Sequence, residues 1–571
     1  MDTNLLLRSD GYPNRAQWDG RELSQRGHST LKVIGIWTDP SPSAIAQQNI
    51  VAGALVVKDE CTPMDAPPNA VGYAAFSDLD VAVTNGLATP RRSFRQNVRA
   101  ALAPRHFGLI ALLVAYVGWF THEALAIYNG YNSPPFDMAI FDQGLWLMSH
   151  WRAPFVTIIG RNLLGDHTSF ILGLVVPLYR LFPEPQGILV LQTLVLAGGA
   201  IPVYMLARKL LHSTAMATAL AAVLLFNPIL QRGNLDQFHP EAFQVVIIGL
   251  AIYAAHERKY RLLIIMAMLS LLVKEDAAVL VAPLGVWVAV RRERRVGIFI
   301  VGAALIWSIV ANLLIIPALL GGASIYTRRI PFNGALGSLS ASFHRPVAVV
   351  KYFLSGGRPF YLWQLGAMTA FIALLAPDIV AIGAFVVFEN LLSTDLLMHS
   401  IIFQYTLPLS TVLVMAVVIA IARQKRRRDQ WLLTGEALAA TLLTCVVWGA
   451  APFSAATVAP AWVSAAGVRS LNQLERSLPP NAAVSAWLPI VAHVDHRPRV
   501  YLWPNPFAQY YWGFQNHSGQ PLPAAHDVQY LLLPMKLSSV DFPGVFKKIS
   551  SDFALVRHAG DFGLFKRVSN T

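Results

Sequence analysis

The chain is interrupted repeatedly by apolar runs long enough, or nearly so, to cross a hydrocarbon core of roughly 30 Å. They fall near residues 107–127, 187–207, 213–230, 241–255, 260–275, 277–291, 296–318, 360–376, 378–394, 400–422 and 431–450. Some are short and share borders. Composition agrees with burial in lipid: 55% of residues are hydrophobic and 13% charged, against roughly 25% charged in an ordinary soluble domain. The sequence predicts an α-helical polytopic membrane protein with about eleven spans.

Lys and Arg exceed Asp and Glu by 45 to 32. The basic residues stand in short clusters between apolar runs, not along one amphipathic face or in an RNA-binding signature. The excess is therefore topological, and no nucleic-acid partner is expected. Cys61 and Cys445 match no metal spacing and are poorly placed to pair.

Residues 1–90 are rich in Pro, Gly, Asn, Ser and Asp and lack the pattern of a signal peptide. They read as a disordered tail, or as sequence upstream of a later true start. Arg91, Arg92, Arg95, Arg99 and Arg105 precede the first run, which puts the tail in the cytoplasm. The ambiguous piece is "TSFILGLVVPLYRLF" (168–182), short and holding a Pro and an Arg. If it lies along the interface, the clusters "ARKLLH" (207–212), "HERKYR" (256–261), "RRERR" (291–295) and "RQKRRRD" (423–429) share the side of the first arginines. If it crosses, all four fall outside, against the orientation rule. The expected layout is a membrane domain over 91–454 in the cytoplasmic membrane, with a large first outer loop over 128–186, N-terminus inside and C-terminus outside.

That layout brings "FDMAIFDQ", "LLGDH", "NLDQFHPE", "KED" and "LLSTDLLMH" to the outer face. A carboxylate beside hydrocarbon costs several kcal/mol unless it is paired or used. Each stretch alone reads as a solvated loop or helix cap; five together suggest a site. Asp137 and Asp142 are five residues apart, so on a helix they project about 140° apart and need not share a role. Asp142 also fits a cap. Gly165–Asp166 fits a turn into an N-cap, and Asp166 with His167 also suits acceptor binding or a metal such as Mg²⁺ or Mn²⁺. Pro240 belongs at a helix's first turn, leaving His239 and Glu241 as site residues or helix-end dressing. Lys274, Glu275 and Asp276 sit at a tight junction, either as an internal pair or with Lys274 facing a phosphate. Arg328, Arg329, Arg345, Lys351 and Arg358 break the orientation rule in segment 319–358. Solvated side chains would explain them; so would recognition of a lipid phosphate, for which the guanidinium fork is suited. His399 and Tyr405 fit the lining of the same cavity.

The order "FDMAIFDQGLW", "GDHTSFILGLVVPLYRLFP", "LVLQTLVLAGGAIPVYMLARKLL", "NLDQFHPEAF", "KEDAAV" resembles the DUF2079 family of bacterial membrane proteins, themselves similar to GT-C glycosyltransferases. The resemblance covers about 107–450 and continues into "LPPNAAVSAWLPIVAHVDHRPRVYLWP". It implies a first outer loop with interfacial helices and an acid serving as catalytic base or metal ligand, for which Asp137 is the candidate. It also implies a polyprenyl-phosphate-linked sugar as donor and a cell-envelope acceptor, with Lys274, Arg328, Arg329 and Arg358 candidates for the lipid phosphate. The adjacent acid pair of many such enzymes is absent.

After about residue 455 the apolar runs stop. "LNQLERSLP" reads as a helix, "AVSAW", "RVYLW" and "VQYLLLP" as strands, and "FALVRHAGDFGLFKR" as a hairpin. Residues 455–571 form a small extracytoplasmic α/β domain without a nucleophile elbow, phosphate loop or zinc motif, suited to support or acceptor recognition. A transporter or lipid flippase, or a non-catalytic scaffold, remains the alternative; inverted repeats or mid-membrane charges would favour transport. The layout predicts that a reporter active only outside the cytoplasm is on when fused after Asn472 and off after Arg261. The reverse pattern would make 168–182 a span.

Overall fold

The computed structural model describes residues 103–132, 136–322, 324–455, 463–513, 518–538 and 541–568. The expected tail over 1–90 lies outside the described residues. The apolar runs are helical, because a helix is the segment-local way to satisfy every backbone group in lipid. In chain order they are α1 (Phe107–Asn129), α2 (Phe136–Ser149), α3 (Leu172–Leu181), α4 (Pro185–Leu211), α5 (Thr214–Leu225), α6 (Pro228–Leu235), α7 (Ala242–His256), α8 (Tyr260–Leu271), α9 (Ala278–Arg291), α10 (Arg294–Leu320), α11 (Arg358–Ala367), α12 (Pro377–Leu392), α13 (Leu407–Ala422) and α14 (Arg427–Trp448). Two short helices, Ala335–His344 and Pro346–Phe353, lie between α10 and α11.

Among the described residues, five helices are long and apolar enough to cross a membrane: Pro104–Asn129, α4, α10, Gln404–Ala422 and α14. The pair α5–α6 makes a sixth if its 45° bend is one broken span. The break has a local cause: Asn227 accepts from the amide of Ile229 at 3.0 Å as a cap, and Pro228 starts a new helix. The shorter apolar helices α3, α7 and α8 fall below the length of a full span. Outward faces are apolar; α10 exposes Ile298, Phe299, Leu305, Ile306 and Ile309.

The loops sort by charge. Arg208 Nη1 and Tyr204 Oη reach His106 at 3.4 and 2.9 Å, and Lys209 pairs with Glu257. Arg427 Nη1 donates to the Leu211 carbonyl at 2.5 Å, and Arg423 pairs with Asp378 at 2.8 Å, to which Trp287 also donates. The basic stretches therefore gather at one end of the bundle. The acid- and His-bearing stretches gather at the other.

Segment 168–182 yields α3, ten residues with Pro177 inside. At about 1.5 Å per residue it is half the length a span needs. Leu172, Val175 and Tyr179 face inward, while Leu174, Leu178, Leu181 and Phe182 are exposed, so a helix too short to cross presents apolar side chains on both faces.

The C-terminal region is an α/β unit. Helix α15 (Ala465–Glu475) packs on a five-stranded sheet of β3 (Val484–Ala486), β4 (Val500–Leu502), β5 (Tyr530–Pro534), β6 (Phe553–Ala559) and β7 (Phe562–Arg567) in the order β4-β3-β5-β7-β6. β3, β4 and β5 are parallel; β6–β7 is the expected hairpin, turning at Gly560 with φ +53°. The sheet is not a free lobe. In the small hairpin of β1 (Phe155–Val156) and β2 (Arg161–Asn162), the Thr157 hydroxyl donates to the Val500 carbonyl at 2.6 Å and accepts from its amide at 3.0 Å. Tyr128 Oη donates to the Ala492 carbonyl at 3.0 Å. Gly160 turns this hairpin with φ +65°, and a Cβ there would meet the Trp512 ring at 2.1 Å. Gly160→Ala should therefore lower thermal stability by at least the ~1–3 kcal/mol of a strained left-handed residue, read as an earlier loss of folded protein on heating in detergent.

Candidate functional site

Asp137 occupies the first turn of α2, and the amide of Met138 beside it donates to Gln237 Oε1 at 2.8 Å. Gln237 lies in the loop between α6 and α7, fixed by Gln192 of α4: Gln192 Nε2 donates to the Gln237 carbonyl at 2.5 Å, and the His239 amide donates to Gln192 Oε1 at 2.8 Å. This clamp presents His239 Nε2 to Asp137 Oδ2 at 3.3 Å. The imidazole is buried, its side chain 3% exposed, whereas the Asp137 carboxylate is 46% exposed. Burial works against charge on His239, but the Asp137 hydrogen bond and the Asp236 carboxylate hold its pKa up at about 9. Burial pushes Asp236 up to about 7, and its Oδ2 takes no hydrogen bond among the described residues.

Glu241, just before α7, meets Lys274 Nζ at 3.0 Å, and Asp276 meets the same ammonium at 3.3 Å. The Lys274 side chain is 8% exposed; burial disfavours its charge, yet Asp276 and Glu241 keep it protonated well above the usual range. Glu241, Lys274, Asp276 and Tyr405 border a pocket of about 40 Å³ that Leu280 and Val386 also line. Next in the junction, Glu275 accepts from His167 Nδ1 at 2.8 Å and the Thr168 amide at 3.1 Å. Burial opposes its charge, but His167 draws its pKa down to about 2.

The set closes through the segment after α10. Lys274 lies 5.6 Å from the Tyr405 ring centre, and Arg329 Nη1 donates to Tyr405 Oη at 3.4 Å. Arg329 also pairs with Asp395 at 3.1 Å and stacks over Tyr326 at 4.7 Å. Tyr326 Oη donates to Asp166 Oδ1 at 3.1 Å, its ring stacks on His167, and Arg161 Nε reaches Asp166 at 2.9 Å. Contacts thus join Glu241, Lys274, Tyr405, Arg329, Asp166 and His167, and the Asp137–His239 pair stands beside them, its imidazole acted on by the Glu241 carboxylate through space. A buried acid–base cluster opening through a half-exposed carboxylate can hold or move a proton at Asp137 Oδ2, with fixed cations alongside.

The matching family model, described as a predicted membrane protein (DUF2079), spans residues 131–553. The chain belongs to the DUF2079 family. No curated protein matches the sequence. Among solved structures the chain is similar to ArnT from Cupriavidus metallidurans bound to undecaprenyl phosphate, at 10% identity and a TM-score of 0.42, covering 80% of this chain and 99% of that one. A likeness at that score carries no argument about the site.

Within this DUF2079 fold, six expected residues lie outside the network, among them Arg345 and Lys351, which are exposed. Asp142 is fully buried on the far side of α2, accepting from Tyr179 Oη at 2.7 Å and facing His496 Nε2 at 2.8 Å. Arg328 is exposed. Arg358, expected at a lipid phosphate, is 4% exposed and spends its guanidinium on carbonyls: Leu391 at 2.7 Å, Ser393 at 2.9 Å, Ser355 and Tyr352. It caps the C-terminus of α12, where orphan carbonyls need donors. His399 Nε2 is 2.8 Å from the Gly356 carbonyl. Asp236, Arg161 and Tyr326 belong to the network without having been singled out. Asp236 stood in the quoted "NLDQFHPE"; Arg161 and Tyr326 carry no local signal, since their partners are distant in sequence.

The His239–Asp137 contact predicts a pH-dependent stability. A raised folded pKa stabilises fully below the unfolded value of 6.5, and the contribution is lost as pH rises through about 9. Asp137→Asn should therefore lower the unfolding midpoint most between about pH 5 and 6.5, with the deficit closing towards pH 9 in a pH series of thermal melts.

Proposed function

We propose that the chain is a membrane glycosyltransferase of GT-C type, moving a sugar from a polyprenyl-phosphate donor to a cell-envelope acceptor at the outer face of the cytoplasmic membrane. The observation that carries this reading is the half-exposed Asp137 carboxylate held against a buried imidazole at the acid-rich end of the bundle. Basic loops gathered at the opposite end support cytoplasmic placement of that end. Five helices long and apolar enough to cross, or six with the bent pair α5–α6, support a multi-pass membrane domain.

In this reading Asp137 takes the proton of an acceptor hydroxyl as its oxygen attacks the anomeric carbon. The bond from that carbon to the phosphate oxygen breaks, and the phosphate leaves on its lipid. Arg329 and Lys274 stabilise the departing charge. Burial raises the pKa of Asp236 to about 7, so this acid takes up a proton when an anionic headgroup enters instead of repelling it. His239 orients Asp137. Divalent metal is no required part of this scheme, and an assay with and without EDTA tests for it.

With radiolabelled polyprenyl-phosphate sugars and an envelope extract, Asp137→Asn should lower transfer by about 10²–10⁴-fold, the usual contribution of a general base, without loss of inserted protein. Arg329→Gln should raise the apparent donor requirement about tenfold, the scale of one charge-assisted hydrogen bond. Arg328→Gln should leave it unchanged. Full activity in Asp137→Asn, or equal effects from both arginines, would sink the assignment.

A further inference from the structure

Three residues on the side of α2 away from Asp137 take no part in that scheme. Asp142 is fully buried on α2, Asp495 is 1% exposed in the C-terminal unit, and His496 follows it in sequence. One donor atom from each lies within 4.8 Å of the other two. We propose that these three residues bind a divalent transition-metal ion, Zn²⁺ or Mn²⁺, that clamps α2 to the C-terminal sheet.

Two buried carboxylates facing one another repel unless a positive charge sits between them. The imidazole of His496 supplies at most one, and it is already 2.8 Å from Asp142 Oδ2. Asp495 Oδ2, fully covered, has no hydrogen-bond donor among the described residues, and the Asp495 carboxyl stands against that of Asp142. The adjacent Arg497 does not serve, since its guanidinium turns to the carbonyls of Val494, Pro479 and Ala482 at 2.5, 3.3 and 3.2 Å. Donor atoms that each lie about 2.0–2.2 Å from one ion stand at most about 4.4 Å apart, so the spacing needs only a small closure. Two carboxylate oxygens and one imidazole nitrogen suit Zn²⁺ or Mn²⁺ better than Mg²⁺ or Ca²⁺, which favour all-oxygen sets. Tyr179 Oη, at 2.7 Å from Asp142 Oδ1, orients that ligand as an outer hydrogen bond does around metals. The His496 side chain is 30% exposed, which gives the ion a way in. On binding, His496 is neutral, both carboxylates are ionised, and displaced protons go to solvent.

The test uses the full chain purified in detergent through a tag without histidine, stripped with chelator and incubated with ZnCl₂ or MnCl₂. Supporting results are about one equivalent of metal per chain by mass spectrometry and a thermal midpoint raised by several degrees at saturating metal, both lost in Asp495→Asn and in His496→Gln but kept in Asp137→Asn. Two variants guard against one failing to fold. Absence of bound metal and of any shift in the wild-type chain would overturn the proposal. So would a more stable Asp495→Asn protein, which would mean that the two acids share a proton.

Discussion

A lysine ammonium buried at the junction of two apolar helices orders the acid-rich end of this protein. Desolvating Lys274 costs several kcal/mol unless opposite charge is brought to it with good geometry. Its partners come from different parts of the chain: Glu241 before α7, Asp276 before α9, and the Tyr405 ring before α13. Trp307 of α10 donates to the Lys274 carbonyl at 3.3 Å. One charge thereby fixes the relative heights of four helix ends. Hydrocarbon contacts cannot do this, because an apolar face slides against lipid-like neighbours at little cost.

The bundle interior obeys the same rule with neutral groups. Thr411 Oγ1 donates to the Val245 carbonyl at 3.0 Å, and Thr441 Oγ1 to the Met368 carbonyl at 2.6 Å. Gln231 receives the Ala450 amide at 2.8 Å where α14 ends. Each hydroxyl or amide is paid out against a backbone group that water cannot reach. Charge is thus gathered mainly at the two ends, with Glu436 in the middle of α14 an exception.

What the sequence reveals follows from the range of the forces involved. The apolar runs and the short strands are local patterns, and both are found where the residues put them. The expectation that 168–182 does not cross rests on the charge of loops up to about 250 residues away, because orientation is a property of the whole set; the fold answers only with a helix of ten residues. The residue types of the cluster were legible one by one, as acids and histidines beside apolar runs; their pairing was not. Arg358 shows why. Nothing near it in sequence says that the carbonyls at the end of α12 lack donors, so a capping arginine and a phosphate-binding one look alike. Asp142 is the same case, its His496 partner lying 354 residues away.

Helix α2 carries an acid on each of two faces. Asp137 and Asp142 stand about 140° apart around it, and the fold uses that angle. Asp137 turns to the bundle and meets His239, while Asp142 turns to the C-terminal sheet and meets His496. Between them Gln143 donates to the Arg497 carbonyl at 3.1 Å and to Thr157 Oγ1 at 3.0 Å. The helix that carries the half-exposed acid is therefore gripped from behind by a domain encoded at the far end of the chain. A carboxylate at the membrane edge keeps its geometry only if its helix cannot roll, and fourteen residues make too short a helix to hold itself. The C-terminal unit touches the edge of that network, where Arg161 Nη1 donates to the Gly513 carbonyl at 3.3 Å, and it supplies the rigidity of the helix on which the network opens.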